Sequence, residues 1–313
     1  MTSSTLRKIT DKMAFCGKAF NKLHLMPISV LFFTLKDKIV LNYIEKHYGN
    51  FISNYKPCDL SSKKQFEKLP IWVCWLQGEE NAPKLVRKCI SSIRQHANGH
   101  EVIVLTDYNI NEYIDIPEYI IKNVQSGILS RTSYSDIVRS ALLASYGGMW
   151  IDATFFLSQD LPESYFTYPI FSAAKQPEPK DRRNVCISRY RWTGSFIGAS
   201  SSNNMLFCFL RDFLYEYEKR EIVFIDYLLI DYLIYIAYEN FAEVKSAINA
   251  IPDNNLDFGW FFHVMNKPFD EEKAKTMFAG KTLAYKLSWK MNWKTSVHGK
   301  ETFFGNFISE VEK

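Results

Sequence analysis

Two adjacent glycines, Gly147 and Gly148, constrain this chain more than any other feature. They sit in SDIVRSALLASYGGMWIDAT, Ser135 to Thr154, in a chain with only 13 glycines among 313 residues. Upstream, Ile137, Val138, Ala141 and Leu142 recur at helical spacing. Ser135 is the expected N-cap, with Asp136 in a first turn where a negative charge suits the helix dipole. Glycine at the far end permits the left-handed conformation that stops a helix. Met149, Trp150 and Ile151 then read as a strand with Asp152 near its end. If the chain reverses at the glycines, the start of the helix lies beside the end of the strand. Asp136, Arg139 and Asp152 are therefore predicted to meet at one edge of a sheet. The plainer alternative is an ordinary helix-surface pair between Asp136 and Arg139, three residues apart.

The neighbouring sequence supplies the sheet. IWVCWLQG (71–78) reads as a buried strand, APKLVRKCISSIRQHA (82–97) as a helix with Pro83 in its first turn, and HEVIVLTD (100–107) as a second strand. Strand, helix and strand in that order form a βαβ unit, which implies an α/β domain with a mostly parallel sheet. In open sheets of this kind ligands bind beyond the carboxyl ends of the strands. A short helix and loop follow at 109–127. Further strands are expected at 168–175 and 193–200, and helices at 203–220 and 222–240. Beyond residue 251 the chain is aromatic and irregular. Residues 1–70 lack any alternating pattern and read as helical, interrupted near Pro27. The expected organisation is thus a basic helical region over 1–70 and a catalytic domain over 71–313.

Hydrophobic residues make up 47% of the chain and charged residues 23%, a composition that folds rather than stays disordered. Residues 1–70 carry 12 Lys/Arg against 5 Asp/Glu, leaving 26 against 29 in the remainder. All the basic excess is therefore N-terminal. It is either a solvated helical surface or a contact for an anionic membrane or partner. No nucleic-acid-binding motif accompanies it. The six cysteines (Cys16, Cys58, Cys74, Cys89, Cys186, Cys208) show no CxxC or zinc spacing and read as reduced thiols of a cytoplasmic protein. The apolar run 26–35 is shorter than the ~20 residues a bilayer span needs. The run 222–238 contains Asp226 and Asp231, which a membrane interior would penalise. A soluble or peripheral chain is expected.

The passage around the glycine pair resembles the signature of the DxD-containing sugar transferases of the GT32-like group, and within it the capsular polysaccharide synthesis proteins. IWVCWLQGEENAPKLVRKCISSIRQHANGHEVIVLTDYNINEYIDIP is similar to the same branch, in the same order. The resemblance covers residues 70–160 firmly and 190–305 loosely. It implies a GT-A fold, a Rossmann-like α/β domain that binds a nucleotide sugar, and transfer of the sugar with retention of anomeric configuration. It places Trp75 and Gln77 against the nucleoside, Asp136 on ribose or sugar hydroxyls, and Arg139 on the donor sugar. Asp152 becomes the first carboxylate of the DxD motif and the expected ligand of a divalent ion, Mn²⁺ or Mg²⁺. The motif here is Asp152-Ala153-Thr154, so its third position offers a hydroxyl in place of a carboxylate.

Breaking a sugar–diphosphate bond builds negative charge on the leaving group and positive charge on the sugar carbon. For the first, YKLSWKMNWK (285–294) offers Lys286, Ser288, Trp289 and Lys290. Ser288-Trp289 resembles the C-terminal serine and tryptophan that lie near the diphosphate in toxin-type glucosyltransferases. The alternative is an amphipathic aromatic surface segment. For the second, IDYLLIDYL offers Asp231 first and Asp226 second. On one helix, five residues apart, they differ by about 140° and do not share a face. Either may instead be a helix cap or a buried hydrogen-bonded carboxylate. RWTGSFIGAS (191–200) is expected beside the site. His263 and His298 are lone histidines, more often structural than ligands. The expected function is transfer of a hexose, UDP-linked, to a lipid-linked saccharide at the inner face of the cell membrane. A non-catalytic nucleotide-sugar or glycan-binding module is the alternative. A metal-dependent hydrolase is disfavoured by the absence of a His-rich cluster.

Overall fold

The computed structural model describes residues 2–57, 59–177 and 186–309. Two long helices open the chain, α1 (Ser3–Lys22) and α2 (Met26–Ser53), with Pro27 in the first turn of α2, where its missing N–H is harmless. The βαβ unit follows as β1 (Ile71–Cys74), α3 (Lys84–Gln95) and β2 (Val102–Leu105). Next come α4 (Glu118–Gln125), α5 (Arg131–Tyr146) and β3 (Gly148–Ile151). Strands β1, β2 and β3 are mutually parallel, with β1 in the middle.

Beyond β3 lie β4 (Phe155–Leu157), β5 (Phe171–Ser172) and β6 (Phe196–Ala199). The central sheet has the order β2-β1-β3-β6-β5. Both β3 and β5 pair antiparallel with β6, so four of the five strands point the same way. The mixed, mostly parallel sheet expected from the sequence is therefore present, in a Rossmann-like arrangement. Four helices complete the next stretch: α6 (Met205–Arg220), α7 (Leu229–Asn240), α8 (Ala242–Ala250) and α9 (Trp260–Val264). The C-terminal part adds α10 (Glu271–Phe278), β7 (Ala284–Lys286), a hairpin of β8 (Ser296–Val297) and β9 (Lys300–Glu301), and α11 (Phe303–Ser309).

One apolar core joins these parts. Trp72 and Trp150 are fully buried within the sheet, and Val40, Ile44 and Ile52 of α2 belong to the same cluster. Tyr48 of α2 stacks on Tyr217 of α6 with ring centroids 5.6 Å apart. α2 ends at Ser53 and the sheet begins at Ile71, and residues of both belong to the same core. No helix among the described residues is long and apolar enough to cross a membrane. Cys16, Cys74, Cys89 and Cys186 carry free thiols, and Cys58 lies outside the described residues.

Two local expectations are corrected. The cap of α5 is Ser130, whose hydroxyl accepts from the Ser133 N–H, so Asp136 sits in the second turn. The run 222–240 is not one helix, because α7 begins at Leu229. The preceding residues are held by α1 and α6 instead. The Thr10 hydroxyl donates to the Ile225 carbonyl at 2.7 Å, and the Tyr217 hydroxyl donates to the Val223 carbonyl at 2.9 Å. Those tertiary bonds draw the backbone out of helix.

Candidate functional site

The reversal at the glycine pair follows from backbone geometry. Gly147 closes α5 at φ 69° and Gly148 opens β3 at φ 84°, both in the left-handed region. Neither site has room for a side chain. A Cβ on Gly147 would lie 2.7 Å from the Ser201 carbonyl carbon, and one on Gly148 would lie 2.3 Å from the Pro70 oxygen. The Gly147 carbonyl also accepts the indole N–H of buried Trp72 at 3.0 Å. The helix thus turns back tightly against the strand that continues it.

The three polar residues meet as the reversal requires. Arg139 Nη2 donates to Asp136 Oδ1 at 2.9 Å and lies 3.9 Å from Asp152 Oδ1. The Arg139 guanidinium stands over the Trp150 ring, 4.9 Å from its centroid. Trp150 in turn donates its indole N–H to Asp152 Oδ1 at 2.9 Å, fixing the carboxylate from within its own strand. The Asp152 N–H donates to the Ser195 carbonyl, tying the end of β3 to the segment leading into β6. That segment approaches closely because Gly194 lacks a side chain: a Cβ there would lie 3.1 Å from Arg139 Nη1.

A fourth charge arrives from far along the chain. β4 and β7 pair antiparallel with Phe155 opposite Lys286. This register sets Lys286 beside the residues just past Asp152, and its Nζ reaches Asp152 Oδ2 at 2.5 Å. Asp231, in the first turn of α7, accepts the Trp192 indole N–H at 3.0 Å and lies within the electrostatic reach of Arg139. Two cations and two aspartates therefore meet past the end of β3, with Asp231 on α7 near enough to feel Arg139.

Their ionisation differs by surroundings. Burial opposes the charge of Asp152, but Lys286 and Arg139 outweigh it and hold the carboxyl below its usual range. Burial pushes Asp136 up to about 7 against the pull of Arg139. It raises Asp231 to about 6, against the Trp192 N–H and Arg139. Cys74 beside them is pushed up to about 12 by burial, so its thiol stays protonated and is a poor nucleophile.

Arg139 and Asp152 line a cleft of about 250 Å³, whereas Asp136, Lys286 and Asp231 stand behind them and are not among its lining residues. The cleft opens at the carboxyl ends of β1 and β3 and is rimmed by Trp75, Gln77, Thr154, Trp289 and Lys290. Trp75 and Trp289 meet edge to face with centroids 5.7 Å apart. Among the described residues, two buried side-chain polar atoms lack a hydrogen-bond partner, Trp75 Nε1 and Arg139 Nε. A buried N–H left unpaired costs about 1–3 kcal/mol, and both of these belong to residues that line the cleft.

The remaining sequence candidates fall elsewhere. Asp226 precedes α7 rather than lying on it. It pairs with Lys36 Nζ at 2.8 Å in the interior and accepts the Leu228 N–H at 2.8 Å. The Ser288 hydroxyl accepts the Lys290 N–H at 3.3 Å and so shapes the turn that presents Trp289. His263 lies in α9 and His298 in the turn of the β8–β9 hairpin, and neither lines the cleft. Sequence reasoning passed over Trp150 and Trp192, which orient Asp152 and Asp231. It also missed the Arg131–Asp107 ion pair, whose arginine lines the cleft. A tryptophan two residues before the motif aspartate was the available signal for Trp150. Asp107, just past the end of β2, was the corresponding one for the ion pair.

The chain matches the family model described as capsular polysaccharide synthesis protein over residues 21–307, and it belongs to that family. The match takes in most of the N-terminal helical region as well as the α/β part. The chain is also 31% identical over 96 residues to "O-glycosyltransferase braB" of Annulohypoxylon truncatum. That stretch spans 28% of this chain and 23% of the relative. Family and relative together support a glycosyltransferase role.

Proposed function

We propose that the protein is a retaining hexosyltransferase of GT-A type. It takes a hexose from a nucleotide sugar, UDP-linked, and passes it to a lipid-linked saccharide during capsular or surface polysaccharide synthesis. The observation that carries this reading is a cleft at the carboxyl ends of β1 and β3, lined by Trp75, Arg139 and Asp152, two of which hold buried N–H groups without a partner. A nucleoside diphosphate sugar supplies what such a cleft lacks: an aromatic base, sugar hydroxyls and anionic oxygens.

In this reading Trp75 and Gln77 hold the nucleoside end, with Trp289 closing over it. Asp136 and Arg139 hold hydroxyls of the ribose or the transferred sugar. Lys286 and Lys290 face the diphosphate. In the reaction the bond between the anomeric carbon and the phosphate oxygen breaks, and the nucleoside diphosphate leaves with the electron pair. The acceptor hydroxyl bonds to the same carbon on the same face, and its proton passes to the departing phosphate oxygen. Lys286 and Lys290 stabilise the charge on the leaving group. Asp231, ionised at neutral pH, stabilises the positive charge on the sugar carbon.

A divalent ion, Mn²⁺ or Mg²⁺, belongs to the same proposal. Asp152 suits it as a hard, ionised oxygen ligand, and Thr154 adds a neutral oxygen at the cleft. The diphosphate and water would complete the shell, and Lys286 would have to yield its contact with Asp152. Such an ion supplies further neutralisation of the diphosphate. The lipid-linked acceptor requires work at a membrane, on its cytoplasmic face, where nucleotide sugars are made.

The test is donor turnover across a panel of nucleotide sugars with Mn²⁺, with Mg²⁺ and with chelator. Hydrolysis or transfer of one donor, supported by a divalent ion, is expected. Tight binding of a donor without any turnover would instead identify a nucleotide-sugar-binding module.

A further inference from the structure

We infer that the tip of the α1–α2 hairpin seats the protein on an anionic phospholipid surface. Fourteen large hydrophobic side chains are exposed among the described residues, and six of them fall between residues 15 and 35. They are Phe15, Leu23, Leu25, Ile28, Leu31 and Leu35, each 40–74% exposed. Helix geometry explains why they face outward. On α2, Ile28, Leu31 and Leu35 follow i, i+3, i+7 spacing and form one stripe. The opposite face, with Ser29, Lys36 and Val40, is buried. Ser29 donates to the Gly17 carbonyl at 2.8 Å, and a Cβ on Gly17 would lie 2.8 Å from the Phe33 ring. The hairpin is therefore packed through its small residues, which leaves the leucine stripe and the tip outside.

Charge selects the occupant. Lys8, Lys12, Lys18 and Lys22 are exposed on the face of α1 that carries Phe15, and Asp11, the acidic residue among them, is paired with Arg7. A second copy of the chain would set these lysines against their own counterparts. An anionic bilayer neutralises them while taking up the leucines, the arrangement of an in-plane amphipathic anchor that enters about 5–10 Å. Neither helix is apolar enough to span, so the hairpin rests in the interface.

The hairpin is also joined firmly to the candidate site. One turn past Leu31, Lys36 pairs with Asp226 and Asp37 accepts from the Tyr232 hydroxyl, next to Asp231. A docked tip would thus hold the start of α7 at a fixed place relative to the membrane. The purpose assigned to docking, access to a lipid-linked acceptor, rests on the transferase reading; the lipid contact itself does not.

The test is sedimentation of the full chain with vesicles of phosphatidylcholine alone or with phosphatidylglycerol. Binding to the anionic vesicles is expected to exceed that to neutral ones about tenfold or more. Reversing Lys8, Lys12, Lys18 and Lys22 to Glu should remove that preference. Leu23→Ser with Leu31→Ser should weaken binding by a similar factor. All are surface changes, so circular dichroism and vesicle-free donor hydrolysis should match wild type. Equal sedimentation with both vesicle types, unchanged binding in the two variants, or self-association that buries the tip would each overturn the inference. Anionic-vesicle binding in a chain that turns over no donor would uphold the docking surface and count against the transferase reading alone.

Discussion

Two clusters of buried charge in this molecule, around Lys36 and around Arg139, differ in how they are completed. Around Lys36, both oxygens of Asp226 are taken, one by the lysine and one by the Leu228 N–H, while the lysine also lies over the Tyr232 ring. Around Arg139, a guanidinium N–H is buried without a partner, and so is the indole N–H of Trp75 across the same cleft. Both clusters join a lysine or arginine to aspartates, Lys36 to one 190 residues away and Arg139 to two close in sequence, and composition does not separate them. Completion does. A closed network gains by being shut, whereas an open one on a cleft retains valences that a ligand can satisfy.

The largest effect expected from this contrast is on stability. Asp226→Ala leaves Lys36 buried and unpaired and should destabilise the fold by about 3–5 kcal/mol in urea denaturation. The double change Lys36→Met with Asp226→Leu should recover most of that loss, since apolar replacement of a closed pair is often neutral. The counterpart in the open cluster acts on turnover. Arg139→Lys keeps a positive charge but loses the planar fork, and donor turnover should fall about 10²–10³-fold. Its stability should change less, because Asp136 is already raised toward protonation and tolerates a poorer partner. Loss of turnover in proportion to lost folding would erase the distinction between the clusters.

Gly148→Ala probes the reversal that assembles the open cluster. Its Cβ would meet the Pro70 oxygen at 2.3 Å at a positive φ, so a loss of about 1–3 kcal/mol is expected. The smallest effect concerns pH. Asp136 binds its proton more tightly when folded than when unfolded, so its contribution to stability is full below about pH 4 and fades as pH rises toward 7. Glu218, raised by burial to about 7 beside Asn123, adds a slope of the same sign. Asp136→Asn and Glu218→Gln should each flatten the fall in melting temperature between pH 5 and 8. A bound donor should reduce the Asp136 part alone.

How legible the site was depends on the distance over which each contact is made. The turn at Gly147 and Gly148 is local, so convergence of Asp136, Arg139 and Asp152 could be read from twenty residues. The βαβ unit was legible for the same reason, from apolar runs separated by a periodic helix. Lys286 could be named as a cation but not placed, because its contact with Asp152 depends on the β4–β7 register across 134 residues. The start of α7 was hidden in a continuous apolar run, since hydroxyls from α1 and α6 hold residues 223–225 away from helix. The cap at Ser130 was obscured by Ser133 and Ser135 nearby, any of which satisfies the local rule. Trp192 became visible as a partner of Asp231 only in three dimensions.

Ligand-induced thermal stabilisation tests most directly whether the cleft beside Arg139 is a nucleotide-sugar site. Wild type, Arg139→Lys and Asp152→Asn would be melted against a panel of nucleotide sugars, with and without Mn²⁺. At about 100 times its dissociation constant, a ligand adds about 2.7 kcal/mol to the native state. One UDP-sugar is expected to raise the melting temperature of wild type by several degrees and to leave both variants unmoved. No shift with any donor, or an equal shift in all three proteins, would contradict a nucleotide-sugar site there.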